Sequence, residues 1–338
     1  HCPSTPPSPS HSTHRCERPV RMIIDTDPAM GTLHTDPEDG MAILYALNSE
    51  GVDLEGITLV HGNVPISHSW PNAQHLLSLA GRGDVSVHTG AATPRDEARL
   101  RQRAWLDQRT GMDRLAPSLP VPDPTAIEFL VDTVCGSPGE VTLVAIGPLT
   151  NVADAIESNP RFADDLAGLV VMGGAAAVPG NVTPAAEFNL WMDPDAAQAV
   201  FASGAPITMV GLDVCHRTRF PQDQVDAVSS TATPLARFVA DAASSWNAVR
   251  ELLFDGDGMH LYDTLAVAAA IEPDLLTCQR ALVEVETSNG PAQGMTVTHL
   301  NDLLRPFISD REPNAEVALD VDVERFTQRF VQRVLDPL

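Results

Sequence analysis

The feature that most limits the fold of this chain is an alternation. Short apolar runs of strand length recur between stretches with helical spacing, from residue 20 to the end. Residues 20–24 read as a buried strand that runs straight into acids. Residues 38–48 follow with Met41, Ala42, Leu44, Tyr45 and Leu47 on one helical repeat. Further strands are expected at 54–60, 85–88, 140–146, 166–172 and 206–210. Helices are expected at 67–80, 125–134, 148–157, 193–202, 221–254 and 262–271. Strands near 281–287, 295–299 and 317–321 and a helix at 323–334 complete the pattern. Such alternation builds βαβ units around a parallel sheet. No repeat or Gly/Ser/Pro-rich linker appears after residue 18. The expected fold class is therefore α/β: one domain over residues 19–338, with a mostly parallel central sheet flanked by helices (Rossmann-like). A disordered Pro-, Ser- and His-rich tail, residues 1–18, is expected to precede it. Residues 93–123 are polar and Pro-rich without periodicity, a length that points to a functional loop.

In sheets of this kind ligands bind at the carboxyl ends of the strands. Asp25 and Asp27 fall there after the first strand, and Asn63 after the second. Ile146-Gly147-Pro148 and Gly173-Gly174 occupy the same place after later strands.

Charge narrows what such a site accepts. The chain of 338 residues carries a formal net charge of −24, and its 21 basic residues are all arginine. An acidic chain without a basic cluster is a poor match for nucleic acid or anionic membranes. A small neutral or cationic substrate fits better, or a metal that offsets the acids. Without lysine there is no Schiff-base lysine and no P-loop lysine. The five cysteines (Cys2, Cys16, Cys135, Cys215, Cys278) lack CxxC spacing. They read as mostly buried, reduced thiols in a cytoplasmic setting. No apolar run approaches the roughly 20 residues that cross a bilayer.

Three constellations carry chemistry. Asp25-Thr26-Asp27-Pro28 and Asp36-Pro37-Glu38-Asp39 crowd carboxylates into two short segments. Unpaired, they raise one another's pKa. Ca²⁺, which takes about six to eight oxygen ligands, relieves the conflict. Helix capping accounts equally for Asp36 or Glu38, but not for Asp25 and Asp27 at a strand end. Asp263, in His260-Leu261-Tyr262-Asp263-Thr264, stands at a helix start and reads either as an N-cap or as a site acid. Asn181 with Ala186-Glu187-Phe188-Asn189 either holds sugar hydroxyls or forms a polar surface loop.

In this order and spacing the motifs resemble the inosine-uridine-preferring nucleoside hydrolase family. That family opens with D-x-D-P-G-x-D-D-A-x-A, matched here by Asp25-Thr26-Asp27-Pro28 and Glu38-Asp39-Gly40-Met41-Ala42. The resemblance continues through Gly62-Asn63, Ala145-Ile146-Gly147-Pro148-Leu149-Thr150-Asn151, Val171-Met172-Gly173-Gly174 and the 181–189 stretch. It ends with Asp193-Pro194-Asp195-Ala196-Ala197 and Tyr262-Asp263. It implies Ca²⁺-dependent hydrolysis of the N-glycosidic bond of a ribonucleoside, in a purine-salvage role. Asp27, Asp39, Asp263 and the Ile146 carbonyl would hold the metal, with Asp25 behind them. Glu38, Asn63, Asn181, Glu187 and Asn189 would bind the ribose. Asp27 would be the general base, and Asp27, Asn189 and Tyr262 form the catalytic set. A homodimer or homotetramer is implied as well.

The chain departs from that pattern in three respects. Ala29 to Pro37 fill a space where the family has one variable residue, a longer insertion with a flexible composition. Glu38 replaces the first Asp of the pair and reaches one methylene further, leaving Glu38 or Asp36 to meet the ribose; Glu38 keeps the register. Tyr262 stands where inosine-uridine-preferring members carry an acid histidine, and purine-specific relatives place an aromatic there. This gives a lean to purine nucleosides, with Trp105 as a second stacking ring. Trp246, Arg250 and His260 are weaker candidates for lid or acid. Two alternatives remain: a haloacid-dehalogenase-like phosphatase using Asp25-Thr26-Asp27, and a non-catalytic nucleoside or sugar sensor.

Overall fold

Strand β1 (Val20–Thr26) is buried along most of its length and feeds both faces of the sheet. Met22 and Ile24 pack into the core on one side and Ile23 into the core on the other. A strand covered on both faces belongs in the middle of a parallel sheet. The computed structural model puts it there; residues 19–96, 99, 101, 102, 120–220, 233–253, 259–301, 303, 307 and 309–338 are described.

Helix α1 (Glu38–Leu47) returns the chain to β2 (Val52–Leu59), and α2 (Ile66–Leu79) leads to the short β3 (Val87–Thr89). Helix α3 (Ala126–Gly136) precedes β4 (Val141–Ala145). Helices α4 (Thr150–Ser158) and α5 (Phe162–Asp165) lead to β5 (Gly168–Met172). Helices α6 (Phe188–Met192) and α7 (Pro194–Phe201) lead to β6 (Ile207–Val210), and α8 (Leu212–Cys215) follows. A ribbon of β7 (Arg219–Phe220) and β8 (Met259–His260) brackets α9 (Pro234–Leu253). Helix α10 (Tyr262–Ile271), strands β9 (Leu276–Val285), β10 (Thr296–His299) and β11 (Ala315–Val321), and helix α11 (Val323–Phe330) complete the chain.

Among the described residues nine strands form one sheet in the order β10-β9-β11-β6-β5-β4-β1-β2-β3. The pairings from β11 to β3 are parallel, whereas β9 runs antiparallel to both β10 and β11. The sheet grows outward from β1 in two directions, to β2 and to β4. The topological switch point is therefore the crevice between the carboxyl ends of β1 and β4, where doubly wound sheets bind ligands. The Ile146 N–H donates to the Asp25 carbonyl at 2.8 Å and closes the two strands there. Helices cover both faces, so the expected α/β domain with a mostly parallel sheet is what forms.

Three details differ from the pattern read in the sequence. Strand β9 begins five residues before the apolar run at 281, because the positions of its first half are exposed or half-buried and carry no apolar run. Helices α5, α6 and α8 have only four or five residues, too short to show a 3.6-residue repeat. The expected final helix relaxes at Val331–Leu335 into a wider π turn. The 1–18 tail with Cys2 and Cys16, Trp105, most of the 93–123 loop and residues 221–232 lie outside the described residues. Cys135, Cys215 and Cys278 are free thiols. No helix among the described residues is long and apolar enough to cross a membrane.

Candidate active site

The last residues of β1 carry the first acids into the crevice. Asp25 and Asp27 are fully buried. Asp25 Oδ1 accepts from Thr58 Oγ1 at 2.5 Å and Asn151 Nδ2 at 2.7 Å, while its Oδ2 has no hydrogen-bond partner among the described residues. Burial outweighs these bonds and pushes the Asp25 carboxyl up to about 7. Asn151 is itself fixed: Nδ2 also reaches the Leu59 carbonyl, and Oδ1 accepts from Ala91 N. One side chain thus ties β1 and β2 to the turn after β3.

Backbone approaches Asp27 closely from two sides. A Cβ on Gly62 would fall 1.7 Å from Asp27 Oδ2, and one on Gly147 would fall 3.1 Å from its Oδ1. Asn63, next to Gly62, donates its N–H to Asp27 Oδ2 and its Nδ2 to Asp39 Oδ2 at 3.0 Å. Asp39, in the first turn of α1, also accepts from Thr26 Oγ1 at 2.5 Å and Asp27 N at 3.2 Å. Asp27, Asp39 and Asn63 therefore stand together.

Asp263 arrives from the far end of the sequence in the first turn of α10 and is 7 % exposed. Its carboxyl lies well above the usual range. Burial is the main cause, and the charges of Glu38, Asp39, Asp27 and Asp36 add to it. The same burial raises Asp39 and pushes Glu38 to about 7. Both Glu38 oxygens accept from the start of α10: Oε2 from Asp263 N, Oε1 from Thr264 N at 2.9 Å and Thr264 Oγ1 at 2.5 Å.

The opposite wall is built after β4 and β5. Glu187 caps α6, accepting from Asn189 N, Leu190 N and Gly174 N. Burial nonetheless pushes its carboxyl to about 7. Asn189 Nδ2 donates to the carbonyls of Ile146 at 3.1 Å and Met172 at 3.2 Å, so two expected site residues touch. Asn181 is exposed, and its Oδ1 accepts from Phe188 N at 3.0 Å. Tyr262 lies half-buried beside Asp263, stacked on His260 with ring centroids 5.3 Å apart. His216 is 5.4 Å from His260 and 5.9 Å from Tyr262. Trp246 is half-buried on α9, packed against the core.

The donor set fits a hard cation in kind: buried carboxylates and carbonyls, with Asp25, Glu38, Asp39 and Asp263 raised by burial and Asp263 raised further by the acids around it. As the side chains stand, the described residues contain no group of three or more His, Cys, Asp or Glu already arranged to hold an ion. The carboxylates are closed instead by hydroxyl, amide and backbone donors.

Sequence reasoning missed several supports. Thr26, Thr58, Asn151 and Thr264 orient the acids, and Asp213 accepts from Ala176 N and Ala177 N to fix the turn after β5. Three of them, Thr26, Asn151 and Thr264, lie inside the motifs already singled out, which was the available signal. Thr58, Asp213 and His216 sit outside those motifs and are recognisable only by contact.

Residues 22–328 match the sequence model of a family described as inosine-uridine preferring nucleoside hydrolase. The chain is 35% identical over 326 residues to a probable uridine nucleosidase 2 of Arabidopsis thaliana, covering 94% of this chain and 98% of that protein. It superposes with a TM-score of 0.82 on a plant nucleoside hydrolase, PpNRh1, at 32% identity, over 94% of this chain and 100% of that one. A purine-preferring ribonucleoside hydrolase from Gardnerella vaginalis gives a TM-score of 0.79 at 32% identity, over 94% and 98% of the two chains.

Proposed function

This chain belongs to the inosine-uridine preferring nucleoside hydrolase family, and on that premise we propose that it hydrolyses the N-glycosidic bond of ribonucleosides with Ca²⁺, with a lean to purines. The observation that carries the reading is the meeting of Asp27, Asp39, Asn63 and Asp263 at the β1/β4 switch point. The phosphatase and sensor readings have no support in the family match, because the relatives are hydrolases of nucleosides.

In this reading Asp27, Asp39, Asp263 and the Ile146 carbonyl would hold the cation. When bound it supplies positive charge that orients a water and the ribose diol. Asn63, Asn181, Glu187 and Asn189 fix the sugar hydroxyls. Asp27, held rigid by Asn63 and the two close glycines, takes a proton from the water as its oxygen bonds to C1′. The C1′–N bond breaks with its electron pair passing to the base, which gains a proton, so nucleoside and water become ribose and free base. Positive charge develops on the sugar as the bond lengthens. The buried carboxylates stabilise it in a site that excludes bulk water. Asp25 sits behind Asp27 and shapes the field without touching the substrate.

Tyr262 supports the purine lean. Its ring is braced by His260 and offers a face on which a base can stack, worth about 1–3 kcal/mol and more for a larger ring. The relatives divide on this point, one named for uridine and another for purines.

The test is a panel of purine and pyrimidine ribonucleosides incubated with the protein and Ca²⁺, reading free base and ribose. Release of both, fastest from purines, is expected. No release from any member would overturn the activity, and a pyrimidine preference would overturn the lean alone.

A further inference from the structure

We infer that Glu38 is a positioning residue that caps α10 from the neighbouring helix and so fixes Asp263, instead of holding a sugar hydroxyl. The role of Asp263 rests on the nucleoside hydrolase reading above; the role of Glu38 rests on its own contacts.

Helix α10 begins without a cap of its own. Its N-cap position is Leu261, which offers no side-chain acceptor, and no side-chain cap bond forms there. The first N–H groups of a helix have no partner within it. Here the site around them is buried, and a second helix supplies the acceptors. Glu38 Oε2 takes Asp263 N; Glu38 Oε1 takes Thr264 N at 2.9 Å and Thr264 Oγ1 at 2.5 Å. Glu38 is 2 % exposed, so these bonds do not compete with bulk water. A carboxylate at a helix start also meets the positive end of its dipole.

Helix α1 does not need this carboxylate for itself. The Glu38 N–H is taken by Asp36 Oδ1 at 3.1 Å, which frees the side chain to cross to α10. The crossing explains the residue type. Aspartate, the residue the family motif carries here, is one methylene shorter and reaches less far toward the Thr264 N–H. Glu38 thus joins the two segments that bring Asp39 and Asp263 to one crevice. Its charge is a burden to Asp263, which it helps to raise. The three donors at the helix start are what hold it there.

The test uses the full chain with E38Q, E38D, T264V and the E38Q/T264V double variant. Melting temperature gives the first readout. The second is the ratio of kcat/KM for a ribonucleoside to that for its 2′-deoxy and 3′-deoxy counterparts. E38Q and T264V are each expected to lower Tm by roughly 2–5 °C, and the double variant by little more than the larger single loss. E38D is expected to behave like E38Q. The ribose-to-deoxyribose ratio of E38Q is expected to stay within about twofold of the parent, with kcat falling alike for all sugars. Additive Tm losses overturn the inference. So does a collapse of that ratio by about tenfold or more in E38Q that E38D restores. Should E38Q fail to fold, T264V and E38D decide by the same two readouts. If no nucleoside is cleaved, the activity reading falls while the thermal cycle still decides the capping.

Discussion

Glu187 offers a measurement in which the direction of a pH effect decides the physics. Its carboxyl is 2 % exposed and is pushed from an ordinary 4.5 to about 7, with burial outweighing the backbone N–H groups it accepts from. A carboxyl raised on folding binds its proton more tightly in the native chain than in the unfolded one. Its contribution to stability is complete below the unfolded value and is lost as pH rises through the folded value. The window here is pH 4.5 to 7. At ~1.4 kcal/mol per pH unit the loss across that window is about 3 kcal/mol, an upper bound. Glu187→Gln cannot ionise, so it does not lose this energy. It offers the backbone donors one acceptor oxygen, as the protonated Glu187 does. Urea unfolding of parent and variant in chelator, from pH 4.5 to 8, isolates the effect, because other groups titrate alike in both. Parent and variant should be about equally stable at pH 4.5, and by pH 8 the parent should be the less stable by up to about 3 kcal/mol. A constant gap would refute the reasoning. A parent that gains on the variant toward pH 8 would show that the N–H bonds outweigh burial and hold the carboxylate ionised.

Three further outcomes follow from the same geometry. Gly62→Ala places a methyl 1.7 Å from Asp27 Oδ2 and should cut base release at least about 100-fold by moving the base. Gly83→Ala, with nothing within 4 Å, should leave it unchanged; equal rates for the two variants would sink the positioning argument. Asn151→Asp turns a donor to Asp25 into a like charge in a buried site, and should cost about 3 kcal/mol or more, read as a fall in Tm above pH 7. Chelation of divalent ions should abolish activity and Ca²⁺ restore it, and Asp27→Asn should be inactive with the metal present; activity that survives both treatments would exclude the proposed base.

The fold was legible where burial left a periodic trace. Strand β1 and helix α1 show it, one as an apolar run and the other as a 3.6-residue repeat, and the acids of the site lie where the one passes toward the other. Contacts between distant segments left no such trace. Glu38 meets Asp263 across 225 positions, and nothing near residue 38 announces Thr264. The insertion at 29–37 read as flexible from its composition, yet it is tied down. Met30 is buried and lies against Gly40, Thr35 Oγ1 bonds back to the Ala29 and Thr32 carbonyls, Asn72 holds the Pro28 carbonyl, and His34 N reaches Ser245 Oγ on α9. Side-chain-to-backbone closures obey no period, so composition alone mistakes them for slack. The metal ligand set and the sugar contacts are placed by resemblance to the family, and the geometry adds only that these residues share one crevice.

The way the acids are held bears on what the crevice can do. The described arginine ion pairs run to other partners, among them Glu55 and Glu140, Asp154 and Glu157, and Glu272. The site acids are instead oriented by neutral donors: Thr26 and Asn63 on Asp39, Thr58 and Asn151 on Asp25, Thr264 on Glu38. A guanidinium in any of these places would fix a carboxylate equally well, but it would cancel the charge. Hydroxyls and amides fix geometry and leave the negative potential standing. The cost is visible in the raised carboxyls, which burial makes bind protons tightly, with no arginine among the described hydrogen-bond donors to them. In the proposed reading a cation, or a sugar becoming one, would supply the missing charge, so binding and bond breaking would both offset the burial of these acids. On that reading, the catalytic value of this crevice lies as much in the neutral donors described around these acids as in the acids themselves.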